Sequence, residues 1–171
     1  LNVTNGALSG SSSDLAAAFA GTVTEHTGTV TITNANYTVA ELVTINAATT
    51  GAITLNTTDT ALSGTAANLV LAFAGTVTEH TGTVTITDAP DVSELKTINA
   101  ATTGAITLDV TNGALSGSSS DLALAFAGTV TEHTGTVGIT NADYSVAELK
   151  TINAASTGAI TFTTATTALS D

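Results

Sequence analysis

Ala18–Thr33 reads AFAGTVTEHTGTVTIT. Ala72–Thr87 repeats it without change, and Ala125–Thr140 repeats it with one substitution, AFAGTVTEHTGTVGIT. Phe19, Phe73 and Phe126 hold the same place in each run. A tandem period of this length constrains the fold more than any local propensity. One such unit cannot bury its own apolar face, so it has to stack on its neighbours. The array divides into units at about 1–54, 55–107 and 108–161, and residues 162–171 open a fourth. Leu1–Gly10 (LNVTNGALSG) and the closing FTTATTALSD are the same phase of the repeat. No divergent cap is visible at either end, and the sequence opens on Leu1 with no signal-peptide pattern. The expectation is a mature chain or a segment whose ends continue the array or meet other chains.

Composition narrows the partners. Of 171 residues, 14 are acidic and two, Lys96 and Lys150, are basic, for a net charge of −12. Nucleic acid is excluded as a partner class, because Lys and Arg must displace its counterions. An anionic membrane surface is disfavoured for the same reason, and no run approaches the ~20 apolar residues that span a bilayer. Aromatic residues make up only 4%, and Cys, Met and Trp are absent. Small aliphatics with many Thr suit narrow stacked coils better than a thick globule.

Each unit divides again. Period-2 alternation predicts strands at Gly28–Thr33, Gly51–Leu55, Gly82–Thr87, Gly104–Leu108, Gly135–Thr140 and Gly158–Phe162. The steps between them alternate short and long, as from Gly28 to Gly51 and then from Gly51 to Gly82. They predict a right-handed α/β solenoid of alternating 23- and 31-residue coils. The six strands would form one parallel sheet. Val30, Ile32, Ile53, Leu55, Val84 and Ile86 would point inward, and Thr31, Thr54, Thr85, Thr107 and Thr161 outward. The alternative is an all-β parallel β-helix.

Between strands lie helix signals. Thr38-Val-Ala-Glu41, Asp91-Val-Ser-Glu94 and Ser145-Val-Ala-Glu148 have the form of capping boxes, each followed by Leu and Ile at i, i+3. Ser12-Ser-Asp-Leu15 leads into Ala16–Ala20, with Gly21 placed as a C′ glycine, and Thr65–Gly75 and Ser119–Gly128 repeat that pattern. Leu15/Phe19, Leu69/Phe73 and Leu122/Phe126 are i, i+4 pairs. Strands stack at ~4.8 Å and helices pack at ~8–10 Å. Two coil types would place each helix column on every second coil and keep the rod straight.

Candidate chemistry is sparse. Glu25-His26, Glu79-His80 and Glu132-His133 hold every His of the chain. At ~9.6 Å, two strand spacings, they are too far apart to share a metal, so a turn or surface ladder is expected. Asn34-Ala-Asn36, Asp88-Ala-Pro-Asp91 and Asn141-Ala-Asp143 carry oxygens of the kind calcium takes. Turns and helix N-termini account for the same residues. An outward Thr ladder could meet ice, with Gly138 interrupting it. Asn2-Val-Thr4, Asn36-Tyr-Thr38 and Asn56-Thr-Thr58 match the N-glycosylation sequon. No nucleophile has a His or acidic partner in a recognisable motif, so the chain is not expected to be an enzyme, and no catalytic, cofactor-binding or metal residues are assigned.

The runs TVAELVTINAATTGAITL (Thr38–Leu55) and LSGTAANLVLAFAG (Leu62–Gly75) resemble Ala/Thr/Gly-rich tandem repeats of very large secreted or cell-surface proteins of cyanobacteria and other bacteria, over nearly the whole chain. The resemblance implies an extracellular or cell-surface location and a structural or adhesive role. The expected function is a rigid rod, surface-layer or filament segment that associates with itself end to end. The alternative is an adhesin-type module contacting carbohydrate or mineral surfaces, with or without calcium.

Overall fold

The computed structural model of the chain describes residues 5–164. In chain order the elements are β1 (Leu8–Gly10), α1 (Ser12–Phe19), β2 (Val30–Ile32), α2 (Val39–Ala48), β3 (Ile53–Leu55), β4 (Leu62–Gly64), α3 (Ala66–Ala72), β5 (Val84–Ile86), α4 (Val92–Ala101), β6 (Ile106–Leu108), β7 (Leu115–Gly117), α5 (Ser119–Ala125), β8 (Val137–Ile139), α6 (Val146–Ala155) and β9 (Ile160–Phe162). The arrangement is α/β, and its helices remove the all-β alternative.

The strands form three parallel sheets, β1-β2-β3, β4-β5-β6 and β7-β8-β9, and none closes into a barrel. This corrects the single sheet. The longer of the two expected intervals is not a pairing either. β5 takes β4, with Leu62 opposite Val84. Ile53 of β3 takes Val77 through an isolated parallel bridge. Every pairing in the three sheets spans the shorter interval, as Val30 to Ile53 or Val84 to Ile106. The missed strands are the Leu-Ser-Gly triplets. They are three residues long and contain the poor strand former Gly, so their sequence signal is weak.

The inward positions are as the alternation predicts. Val30, Ile32, Val84, Ile86, Val137 and Ile139 are wholly buried. The backbones of neighbouring segments run close where they enter these strands. A Cβ added at Gly104 would run into the Gly82 carbonyl, and Gly51 and Gly158 meet Gly28 and Gly135 in the same way.

The helices start where the caps are. Thr38, Asp91 and Ser145 each accept from the N3 amide while Glu41, Glu94 and Glu148 reach back to the N-cap amide. Ser11, Thr65 and Ser118 cap the other three. Gly21 sits at C′ of α1 with φ 91°, a conformation that favours glycine. Gly75 and Gly128 lie one residue further out, with φ 69° and 72°. Each helix packs on the next in sequence, α1 on α2 and so on to α6. The helices therefore do not divide into two alternating columns. Successive helix starts, such as Ser12, Val39 and Ala66, lie further apart in the chain than paired strands such as Leu8 and Val30. No helix among the described residues is long and apolar enough to cross a membrane.

Candidate functional site

The three histidines are the first candidates, and the structure moves them indoors. His26, His80 and His133 are 4%, 0% and 2% exposed, so they are neither turn nor surface residues. Their neighbours Glu25, Glu79 and Glu132 stand in solvent, as alternation along an extended segment requires. Each imidazole packs on the Phe that precedes it in its unit: Phe19–His26 at 5.9 Å, Phe73–His80 at 5.8 Å and Phe126–His133 at 5.9 Å between ring centroids. The Phe comes from the end of α1, α3 or α5. Pairing of the His backbone with Thr49, Thr102 or Ser156 holds the other side.

A buried hydroxyl completes each His position. Thr49 Oγ1 donates to the His26 carbonyl at 2.8 Å and accepts from the Gly51 amide at 2.9 Å. Thr102 does the same for His80 and Gly104, and Ser156 for His133 and Gly158. The rings themselves are poorly partnered. Tyr37 Oη lies 3.4 Å from His80 Nδ1 while donating to the Thr57 carbonyl at 2.8 Å. Neither ring nitrogen of His133 has a hydrogen-bond partner among the described residues, and Nε2 of His26 and His80 has none. The difference is in the sequence one unit back. The first unit supplies Tyr37, whereas the second has Pro90 in that stretch. Burial pushes His80 and His133 below the usual imidazole pKa, opposed by the nearby backbone of Thr60 and Gly113 and, for His80, by the Asp59 charge.

The oxygen-bearing turns, weighed above between calcium and ordinary turn and helix-start roles, hydrogen-bond to neighbouring segments. Asn34 Oδ1 accepts from the Ser12 amide at 2.7 Å, and its Nδ2 donates to Ser12 Oγ at 3.0 Å. Ser12 Oγ donates in turn to Glu41 Oε2 at 2.9 Å. Asn141, Ser119 and Glu148 repeat this clasp, and Asp88 Oδ1 takes the Ala66 amide at 2.8 Å. Each clasp ties the first residue of one helix to the turn before the next. Asp91 is occupied as the N-cap of α4. No group of three or more His, Cys, Asp or Glu among the described residues is arranged to hold a metal.

A second set of contacts lies outside the sequence expectations. Asn46 Nδ2 donates to the Leu71, Ala72 and Ala74 carbonyls at 3.2, 3.1 and 2.6 Å, closing the C-terminus of α3 from α2. Asn99 makes the same three bonds to Leu124, Ala125 and Ala127. The recurring Ile-Asn-Ala-Ala at the end of each capping-box helix is the available signal. Lys96 Nζ meets Asp121 Oδ1 at 2.6 Å between α4 and α5 and holds that carboxyl below the usual carboxylate range.

The Thr ladder is broken into three. Its rungs are Ser9–Thr31–Thr54, Ser63–Thr85–Thr107 and Ser116–Gly138–Thr161. A Ser opens each triplet, and no single flat Thr face forms. Asn36 and Asn56 are exposed, and Asn2 lies outside the described residues.

No protein-family model matches the chain, and no curated protein or solved structure matches it significantly. Among the described residues, the polar groups singled out above join one stretch of backbone to the next, and they converge on no shared pocket.

Proposed function

We propose that the chain is a repeat solenoid serving as a rigid structural element outside the cell, a rod, surface-layer or filament segment. Its coil is set by the interval at which backbone pairs with backbone, Val30 with Ile53 and His26 with Thr49. Its repeat unit, the step from Phe19 to Phe73, is then about seven thirds of a coil. The second sheet opens at Leu62, about a third of the way from Ile53 to Val77, which is one coil on. The third opens at Leu115, in the same place between Ile106 and Val130. The sheets thus occupy three faces, and three units complete seven coils.

The same arithmetic places the helices. Each starts a few residues later in its coil than the one before. Neighbouring helices are displaced sideways around the rod as well as along it. This reconciles helix packing at ~8–10 Å with a coil rise of ~4.8 Å.

The observation that carries the structural reading is that the polar side chains otherwise available for chemistry are spent between coils. The Ser–Asn–Glu clasp recurs in the first and third units, with Asp88 on Ala66 in the second. The Asn caps recur at Asn46 and Asn99, and the buried hydroxyl to His carbonyl bond in all three units. A rod built from nearest-neighbour contacts of this kind lengthens without changing its section. The test is small-angle scattering on the chain and on a fusion of residues 1–161 to a second full copy. Seven coils at the strand spacing predict that the maximum dimension grows by about 34 Å at constant cross-section. A thicker particle, or two lobes that move independently, would overturn the reading.

A further inference from the structure

The two ends of the described fold differ from its interior in a specific way. Val39, Leu42, Ile53 and Leu55 are buried, as are Val92, Leu95, Ile106 and Leu108. Their counterparts in the third unit line an open hollow: Val146, Leu149 and Ile160 are half-buried and Phe162 is 46% exposed. Within the chain such a surface is covered by the first helix of the following unit, α3 over α2 and α5 over α4. Asn153 stands at the hollow where Asn46 and Asn99 stand on theirs, exposed and capping nothing among the described residues. At the opposite end Leu8 is 38% exposed and Val23 47%, whereas Leu62 and Leu115, in the place of Leu8, are buried.

Charge distinguishes one junction from another. Between α2 and α3 the facing positions are Val43 and Asn68, both neutral. Between α4 and α5 they are Lys96 and Asp121, in contact at 2.6 Å. The same position on α6 is Lys150, and on α1 it is Asp14. Both are exposed. The two positions without a mate are thus the two halves of the ion pair that the α4–α5 junction already makes.

We propose that the α6 end receives the α1 end of a second copy of this chain, with Lys150 on Asp14 and Asn153 capping the carbonyls of Ala17, Ala18 and Ala20. This deepens the structural reading and rests on it. The junction takes β1 of the incoming copy, Leu8–Gly10, as its first strand. Because three units complete whole turns, the incoming copy adds by translation of about 34 Å, seven strand spacings, with no rotation. Such a head-to-tail contact does not close, and it propagates as a fibre. The apolar hollow supplies attraction, and the ion pair selects which helix enters it.

Concentration-dependent sedimentation of the full chain at low ionic strength tests this, with Lys150→Glu, Asp14→Lys and the doubly reversed chain. Both side chains are exposed, and thermal melts verify that the variants fold. The wild-type chain is expected to associate, and each single reversal to weaken association roughly tenfold by placing like charges together. The double reversal should recover it. An equimolar mixture of the two single variants should associate more tightly than either variant alone. A wild-type chain that stays monomeric would overturn both this junction and the end-to-end reading. Association that ignores the reversals, or that the double reversal fails to recover, would leave the end-to-end reading standing and overturn this junction.

Discussion

Phe126 and His133 show what the repeat does to a single residue. The imidazole is buried against the ring of a preceding helix, and both its nitrogens lack partners among the described residues. A buried polar atom left unpaired costs about 1–3 kcal/mol, and an apolar group of similar shape removes that cost. His133→Leu should therefore leave stability at about pH 7.5 unchanged or raised, measured as the denaturant midpoint. The pH response gives a second readout. Burial lowers the folded pKa of His133 below its unfolded value near 6.5. Above that value the ring is neutral in both states and costs nothing on this account. As pH falls below it the unfolded chain takes the proton first, and stability is lost down to the folded pKa. The melting temperature should drop between about pH 7 and pH 5, and less steeply in His133→Leu. Equal slopes would mean the ring does not titrate on unfolding. His80 shares the burial but has Tyr37 beside its ring, so the same replacement there strips the Tyr37 hydroxyl of a neighbour and should be the less favourable of the two.

At the scale of elements, the helices run seven to ten residues, too short to persist alone. Their ends are secured from neighbouring segments, which is why Asn99 carries more than its exposure suggests. Asn99→Ala would free three carbonyls at the end of α5, and the expected loss is about 1–3 kcal/mol in chemical denaturation. A loss as small as that of an exposed surface Ala substitution would show that water replaces the amide without cost. The local half of this design is legible in the sequence. Thr38 with Glu41, Asp91 with Glu94 and Ser145 with Glu148 announce helix starts because a capping box is made within four residues. Gly21 marks an end for a similarly local reason. The sheet order is not legible. Leu62–Gly64 and Val77 pair with Val84–Ile86 and Ile53, partners distant in the chain, and nothing in Leu-Ser-Gly itself reports them. Taking the strong strand runs as the complete set creates a long pairing interval that the sheets do not show. The partner of Asn34 is equally out of reach of a local reading, because Ser12 lies 22 residues before it in the chain.

For the molecule as a whole, the proposed solenoid implies stability graded along the chain rather than uniform, because each helix packs on its neighbours in sequence. Unit two is packed on both sides. The amides of β5 and β6 should exchange with solvent more slowly than those of β1 and β9 in native-state hydrogen exchange, and equal protection across all three sheets would indicate a single cooperative globule instead. The mismatch between repeat unit and coil in the proposed solenoid bears on how such an array changes over generations. The identical runs at Ala18 and Ala72 are natural sites for unequal crossing-over, which removes or adds whole units. On the seven-thirds relation each such event turns everything beyond it by about a third of a revolution. If the three sheets form three equivalent faces of a rod, as proposed, the rod absorbs that turn without presenting a new exterior. Copy number is then free to drift as far as the rod alone is concerned, whereas anything fastened to one side of it would be re-aimed unless units came and went in threes.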